Sequence, residues 1–112
     1  MTRETFLAQH ADVVRRFVQA LARGYESVRR NPAAGVANLL KSSSGLSAKL
    51  QTASVKATLP AFFPPDPSRP WGWQDPVQWN SYGQWMLANH LISNPAAVPD
   101  ASTNEVLAGQ GI

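Results

Sequence analysis

Four tryptophans stand close together in this chain: Trp71, Trp73, Trp79 and Trp85. Flat indole rings stack on planar ligands, and cations favour the same ring faces. Trp71 and Trp73 lie in a loop ahead of a helix and are the candidate ligand-binding residues. Trp79 and Trp85 fall within that helix. Trp79 shares a stripe with Tyr82 and Met86, and Trp85 shares an adjacent one with Ile92, so both are expected in the core. Enzyme chemistry needs converging groups, and these are hard to assemble here. His10 and His90 are far apart, and neither has a carboxylate at helical spacing. The acids Glu4, Asp12, Glu26, Asp66, Asp75, Asp100 and Glu105 form no pair at a catalytic spacing. No nucleophile elbow and no dinucleotide glycine motif is present. The absence of cysteine excludes disulfides, thiolate metal sites and a cysteine nucleophile. The expectation is a non-enzyme with no catalytic residue, no metal and no cofactor.

Arginines form the other candidate constellation. Arg16, Arg23 and Arg30 recur at seven-residue steps on one helical stripe, with Arg15 and Arg29 beside it. A phosphate-binding face would use such a stripe. No aromatic residue is interleaved along it and no nucleic-acid motif accompanies it, so a solvated helix face is expected and no nucleic-acid partner. The net charge is +3 with 10 basic and 7 acidic residues. The sequence pI of about 9.8 therefore reflects few acids rather than many bases.

The elements that must position these residues are helical. Val14, Phe17, Leu21, Tyr25 and Val28 recur at three- and four-residue steps, which predicts a helix from Ala11 to Arg30. Asp12 in the first turn and Arg29 and Arg30 in the last suit the helix dipole. A short helical turn precedes it, from Thr2 or Thr5 to His10. Asn31-Pro32 ends the long helix and starts another, with Asn31 as N-cap and Pro32 in the first position. That second helix runs through Val36, Leu39 and Leu40 to about Ser42. Gly24 lies mid-helix, where glycine costs up to about 1 kcal/mol against alanine; the expected compensation is close approach of another element. Ser42-Ser43-Ser44-Gly45 is a turn, and a further helix spans Ser47 to Leu59. Prolines at 60, 64, 65, 67 and 70 make a stiff extended loop. Asp75-Pro76 caps a helix expected to reach Leu91. Asn94-Pro95 ends it, and the rest is irregular apart from a turn near Thr103 to Leu107. Period-two alternation is absent, so no strand is expected. The fold class is all-α: four or five helices, a proline-rich connecting loop and an irregular C-terminal tail, forming one helical domain over residues 1–112.

The order of several segments resembles the C-terminal portion of an ABC-transporter substrate-binding protein, of the nitrate/sulfonate/taurine and thiamine-pyrimidine-precursor type. The segments are Phe6 to Ala20, where the family commonly has proline in place of Ala11, then Gly24-Tyr25, Asn31-Pro32-Ala33-Ala34 and Leu39-Leu40, followed by Gly72-Trp73-Gln74-Asp75, Trp79 and Thr103-Asn104-Glu105. The resemblance implies helices that pack on the sheet of a first lobe, with a terminal segment wrapping the outside. It implies a small anionic or heterocyclic solute gripped between two lobes by residues mostly upstream of this portion, and delivery to an ABC permease. The partners it implies are the N-terminal lobes, the permease and, for the full protein only, the solute.

Two functional readings follow. In the first, the chain is the helical end of such a binding protein. In the second, it is a free-standing helical protein with a structural or interaction role and no solute binding. Self-association is expected of the isolated chain, because Val14, Phe17, Leu21 and Tyr25 exceed what the other short helices can cover; a two-fold dimer would bring that stripe against its copy. No apolar run reaches the roughly 20 residues that span a bilayer, so no membrane insertion is expected. The parent family is periplasmic. Met1 to Thr5 lead into no apolar signal region, so the chain as written is expected in the cytoplasm.

Overall fold

The computed structural model describes residues 2–110. It is all-α, with no strand among the described residues. The helices are α1 (Glu4–Gln9), α2 (Ala11–Arg30), α3 (Pro32–Ser42), α4 (Ala48–Thr58) and α5 (Pro76–Ala88), with 3₁₀ turns at Leu59–Phe62 and Pro95–Ala97. The bounds of α2 coincide with the hydrophobic period and its terminators.

Local side chains set most helix ends. Asn31 Oδ1 accepts from Ala34 N at 3.1 Å, and Ser47 Oγ accepts from Leu50 N at 3.3 Å. Asp75 Oδ1 accepts from Val77 N at 2.9 Å, with Pro76 in the first position of α5. Each cap satisfies a backbone N–H that a helix start leaves without a partner. The α1–α2 break falls at His10, whose carbonyl accepts from Val13 N and Val14 N. Ala11 is consequently the first residue of α2, the position that proline suits best.

The C-terminus of α5 departs from expectation. The helix ends at Ala88, short of Leu91. His90 adopts a left-handed backbone with φ 57°. Leu91 N donates to Met86 O at 2.9 Å and His90 N to Leu87 O at 3.0 Å. This pair of bonds is a Schellman motif, which closes a helix by satisfying its last carbonyls. Histidine in place of the usual glycine made the stop invisible to composition.

Packing is sequential. α1 lies on α2, α2 on α3, α3 on α4, and α4 on the turn that follows it, while α5 packs on the turn at Pro95–Ala97. Buried apolar side chains are few: Val36 of α3, and Val98, Val106 and Leu107 of the tail. The tail, irregular as expected, thus supplies most of the core. Gly83 is the buried residue of α5. A Cβ there would overlap Val98 Cγ1 and come within 2.9 Å of Cγ2. Close approach is therefore achieved at Gly83. At Gly24, where it was expected, an added Cβ meets nothing within 4 Å.

The partition of α5 corrects the expectation for its tryptophans. Trp85 is 53% exposed and Trp79 36%. The helix turns its Gly83 side toward Val98, and Trp85, two residues on, points away by helical geometry. Trp79 sits at the boundary, with its indole N–H donating to Gln74 Oε1. The stripe residues Phe17 (63% exposed) and Leu21 of α2 are likewise uncovered within the chain.

The molecule is extended for its size. Its radius of gyration is 17.1 Å, against about 13 Å for a compact domain of this length. Its accessible surface is 8547 Å², against roughly 6,100 Å² for a folded monomer of this mass.

Candidate functional site

The loop before α5 holds both candidate binding residues, and the tail holds the loop. Gln74 N donates to Asn104 Oδ1 and Asn104 Nδ2 donates back to Gln74 O, each at 2.8 Å. Asn104 thereby serves the Gln74 peptide as a neighbouring strand would. Gln74 Nε2 donates to Gly72 O at 3.0 Å, and Gln74 Oε1 takes the Trp79 indole proton. Gly72, with φ 87°, makes the turn between the two loop tryptophans; this left-handed backbone is open to glycine and strained for other residues. The two segments Gly72-Trp73-Gln74-Asp75 and Thr103-Asn104-Glu105 are each other's hydrogen-bond partners across 30 residues of sequence. Spacing alone gave no sign of that pairing.

Trp71 and Trp73 are both half-buried but engage different partners. Trp71 stacks on Tyr25 of α2, with ring centroids 4.9 Å apart and planes 28° apart. Tyr25 also meets Phe62, at 4.9 Å. The Trp71 Nε1–H is buried without a hydrogen-bond partner, and such a donor is costly to leave unmet. Trp73 lies under the Arg69 guanidinium, 4.3 Å from its ring centroid. Arg69 pairs with Asp66 at 3.6 Å. The Ser68 hydroxyl and backbone N–H hold the exposed Asp66 carboxyl below its usual pKa. Nearby, Arg29 of α2 covers Phe63 at 4.4 Å. The proline-rich loop is thus pinned to α2 by rings and by the Arg29 guanidinium, and one face of each loop tryptophan is already occupied.

The larger feature is an open apolar face on α2, α3 and α4. A groove of about 720 Å³ runs between α3 and α4, lined by Val36, Leu40, Val55 and Leu59 among others. A second groove, of about 360 Å³, lies between α2 and α4 and is lined by Leu21, Gly24, Tyr25, Val28 and Phe62 among others. Val55 and Leu59 border both grooves. Beyond the second groove, Val13 and Phe17 extend the apolar strip along α2. On another side of α2 by helical spacing, Arg16 bonds Asp12 at 2.6 Å and Arg30 Nε bonds Glu26 O at 3.4 Å, both on the exposed helix surface. Among the described residues, no group of three His, Cys, Asp or Glu is placed to hold a metal ion, and no helix is long and apolar enough to cross a membrane.

Such an arrangement defines a class before it suggests a family: a helical module with open apolar grooves. A family model described as NMT1/THI5 like matches residues 1–35. The match takes in α1, α2 and the start of α3, hence the helix that carries the exposed strip. The loop and tail segments that carry the rest of the resemblance lie outside it. Searches of curated proteins and of solved structures returned no match.

Proposed function

We propose that this chain is the helical end of a solute-binding component of an ABC import system, working by binding and delivering a small anionic or heterocyclic solute. The observation that carries this reading is the coincidence of the NMT1/THI5-like match with α2, the helix whose apolar strip the chain leaves uncovered. In this reading the grooves of α2, α3 and α4 seat on the α/β lobes that form the ligand cleft. The chain supplies support and closure, and no catalysis. Trp71 and Trp73 are the chain's own candidates for ring-on-ring contact with a heterocyclic solute. The complete protein would work in the periplasm and hand its solute to a permease.

The two grooves of the isolated chain are lined mainly by apolar side chains, without the convergent polar groups of a solute pocket. Calorimetric titration with nitrate, a sulfonate and a pyrimidine precursor tests the reading. The chain alone is expected to give no heat. The chain mixed with the two α/β lobes of a binding protein of this family is expected to bind one of the three solutes. Micromolar or tighter binding by the chain alone would overturn the reading, as would a mixture that binds none of them. A second reading, a free-standing helical protein that acts through self-association, is favoured by the same exposed strip of α2, with Phe17 and Leu21 uncovered within the chain.

A further inference from the structure

Among the described residues, no hydrogen bond and no salt bridge joins residues 2–62 to residues 71–110. Helix packing divides at the same place. α1 to α4 and the turn at Leu59–Phe62 pack in sequence on one another, whereas α5 packs on the turn at Pro95–Ala97. Each part has its own buried apolar side chains: Val36 in the first, and Val98, Val106 and Leu107 in the second. The second part is also tied within itself. Asn104 and Gln74 exchange two hydrogen bonds, Val98 packs against Gly83, and Leu107 reaches Gly72. The aromatic contact that crosses the division is Trp71 on Tyr25 of α2, with ring centroids 4.9 Å apart. Units that meet over a small contact move relative to one another; only a large apolar interface holds them still.

We propose that the chain is built of two folding units, and that Trp71 on Tyr25 is a releasable latch between them. When the two rings part, residues 71–110 swing as one body away from α1–α4. Residues 63–70 form the link, with prolines at 64, 65, 67 and 70. Proline fixes φ at those positions, so the motion is confined to the few remaining torsions and is a swing rather than free tumbling. Arg29 over Phe63 anchors the start of the link on α2. The docked position also leaves the buried Trp71 Nε1–H without an acceptor. Release returns that donor to water, which lowers the cost of opening. The latch shares a side chain with the α2–α4 groove, because Tyr25 and Phe62 line it and their rings touch at 4.9 Å. A body seated in that groove bears on the ring that holds Trp71. Occupancy of the groove and the position of the second unit are therefore coupled, and such coupling runs both ways. The division into units does not depend on the solute-binding reading.

Two measurements on the full chain test the proposal. The chain has no cysteine, so Ser27→Cys on α2 and Gln84→Cys on α5, both at exposed positions, place one spin label on each unit. Double electron–electron resonance then reads the distance between them. Tyr25→Ala is expected to shift and broaden the distance distribution, and Tyr25→Phe, which keeps the ring, to reproduce that of the parent. Should Tyr25→Ala unfold the helices, Trp71→Ala opens the same contact from the other side, and the same shift is expected. The unsubstituted chain supplies the second measurement. All four tryptophans lie between positions 71 and 85, so their fluorescence follows the second unit, while far-ultraviolet circular dichroism is dominated by α1–α4. Thermal melts by the two probes are expected to have different midpoints. A distance distribution unmoved by both Tyr25→Ala and Trp71→Ala would overturn the latch. Superimposable melts would overturn the division into units. Neither measurement involves a solute or the α/β lobes, so its failure is distinct from failure of the solute-binding reading.

Discussion

Gly83 and Asn104 show how single residues govern this fold. Glycine within a helix is unfavourable by about 1 kcal/mol against alanine, so Gly83→Ala ought to stabilise α5 if the helix stood alone. In the folded chain the added methyl collides with Val98. Overpacking of this kind costs about 1–3 kcal/mol and outweighs the gain in propensity. Gly83→Ala is therefore expected to lower the melting temperature by several degrees, and adding Val98→Ala should recover part of the loss. A thermal melt of the two variants checks both statements, and a rise in melting temperature for the single variant would contradict them. Asn104 acts through bonds rather than space. Asn104→Ala leaves the half-buried N–H and C=O of Gln74 without partners, a cost of about 1–3 kcal/mol for each unmet group. The expected signature is a lower melting temperature together with altered tryptophan fluorescence, because the same loop positions Trp71 and Trp73. Neither residue's role was legible in sequence. Gly83 looks like any helix-weakening glycine until Val98 is seen against it, and Asn104 finds its partner 30 positions away.

At the scale of elements, local chemistry was readable and facing was not. The bounds of α2, the caps at Asn31, Ser47 and Asp75, and the prolines at 32 and 76 act within three or four residues, so sequence carries them directly. Which side of a helix turns inward depends on what the rest of the chain brings to it. Trp79 and Trp85 illustrate the limit: size and apolarity argued for the core, but Gly83 and Val98 decided which side of α5 is buried. The same limit applies to Gly24 of α2. An added Cβ there meets no atom within 4 Å, yet Gly24 lines the apolar groove between α2 and α4. Gly24→Ala is expected to raise the stability of the isolated chain by up to about 1 kcal/mol and to weaken docking of the groove on its partner. A melt and a binding titration on one variant would show opposite signs. A variant that changes neither would show that the groove takes no close neighbour.

The whole molecule is an open array of helices, packed mostly on their neighbours and tied by a few long-range contacts such as Trp71 on Tyr25 and Asn104 on Gln74, rather than a closed globule. Its Phe17, Leu21, Leu50, Tyr82 and Trp85 are large apolar or aromatic side chains left exposed. Phe17 and Leu21 belong to the strip and grooves of α2, α3 and α4, which the proposed function assigns to the α/β lobes of a binding protein, while Tyr82 and Trp85 lie on the outer face of α5 and Leu50 on α4. Sequence conveyed the all-α class and a surplus of apolar surface. It could not say which apolar residues stay exposed, because that depends on which side of each helix the rest of the chain covers. The most direct test of the central claim is a titration of the chain onto the two α/β lobes of a solute-binding protein of this family, with Phe17→Asp and Trp85→Glu as paired variants. The expected result is micromolar or tighter association of the parent chain, about tenfold or greater weakening by Phe17→Asp and no change with Trp85→Glu. Absence of association, or equal binding by the parent and Phe17→Asp, would contradict it.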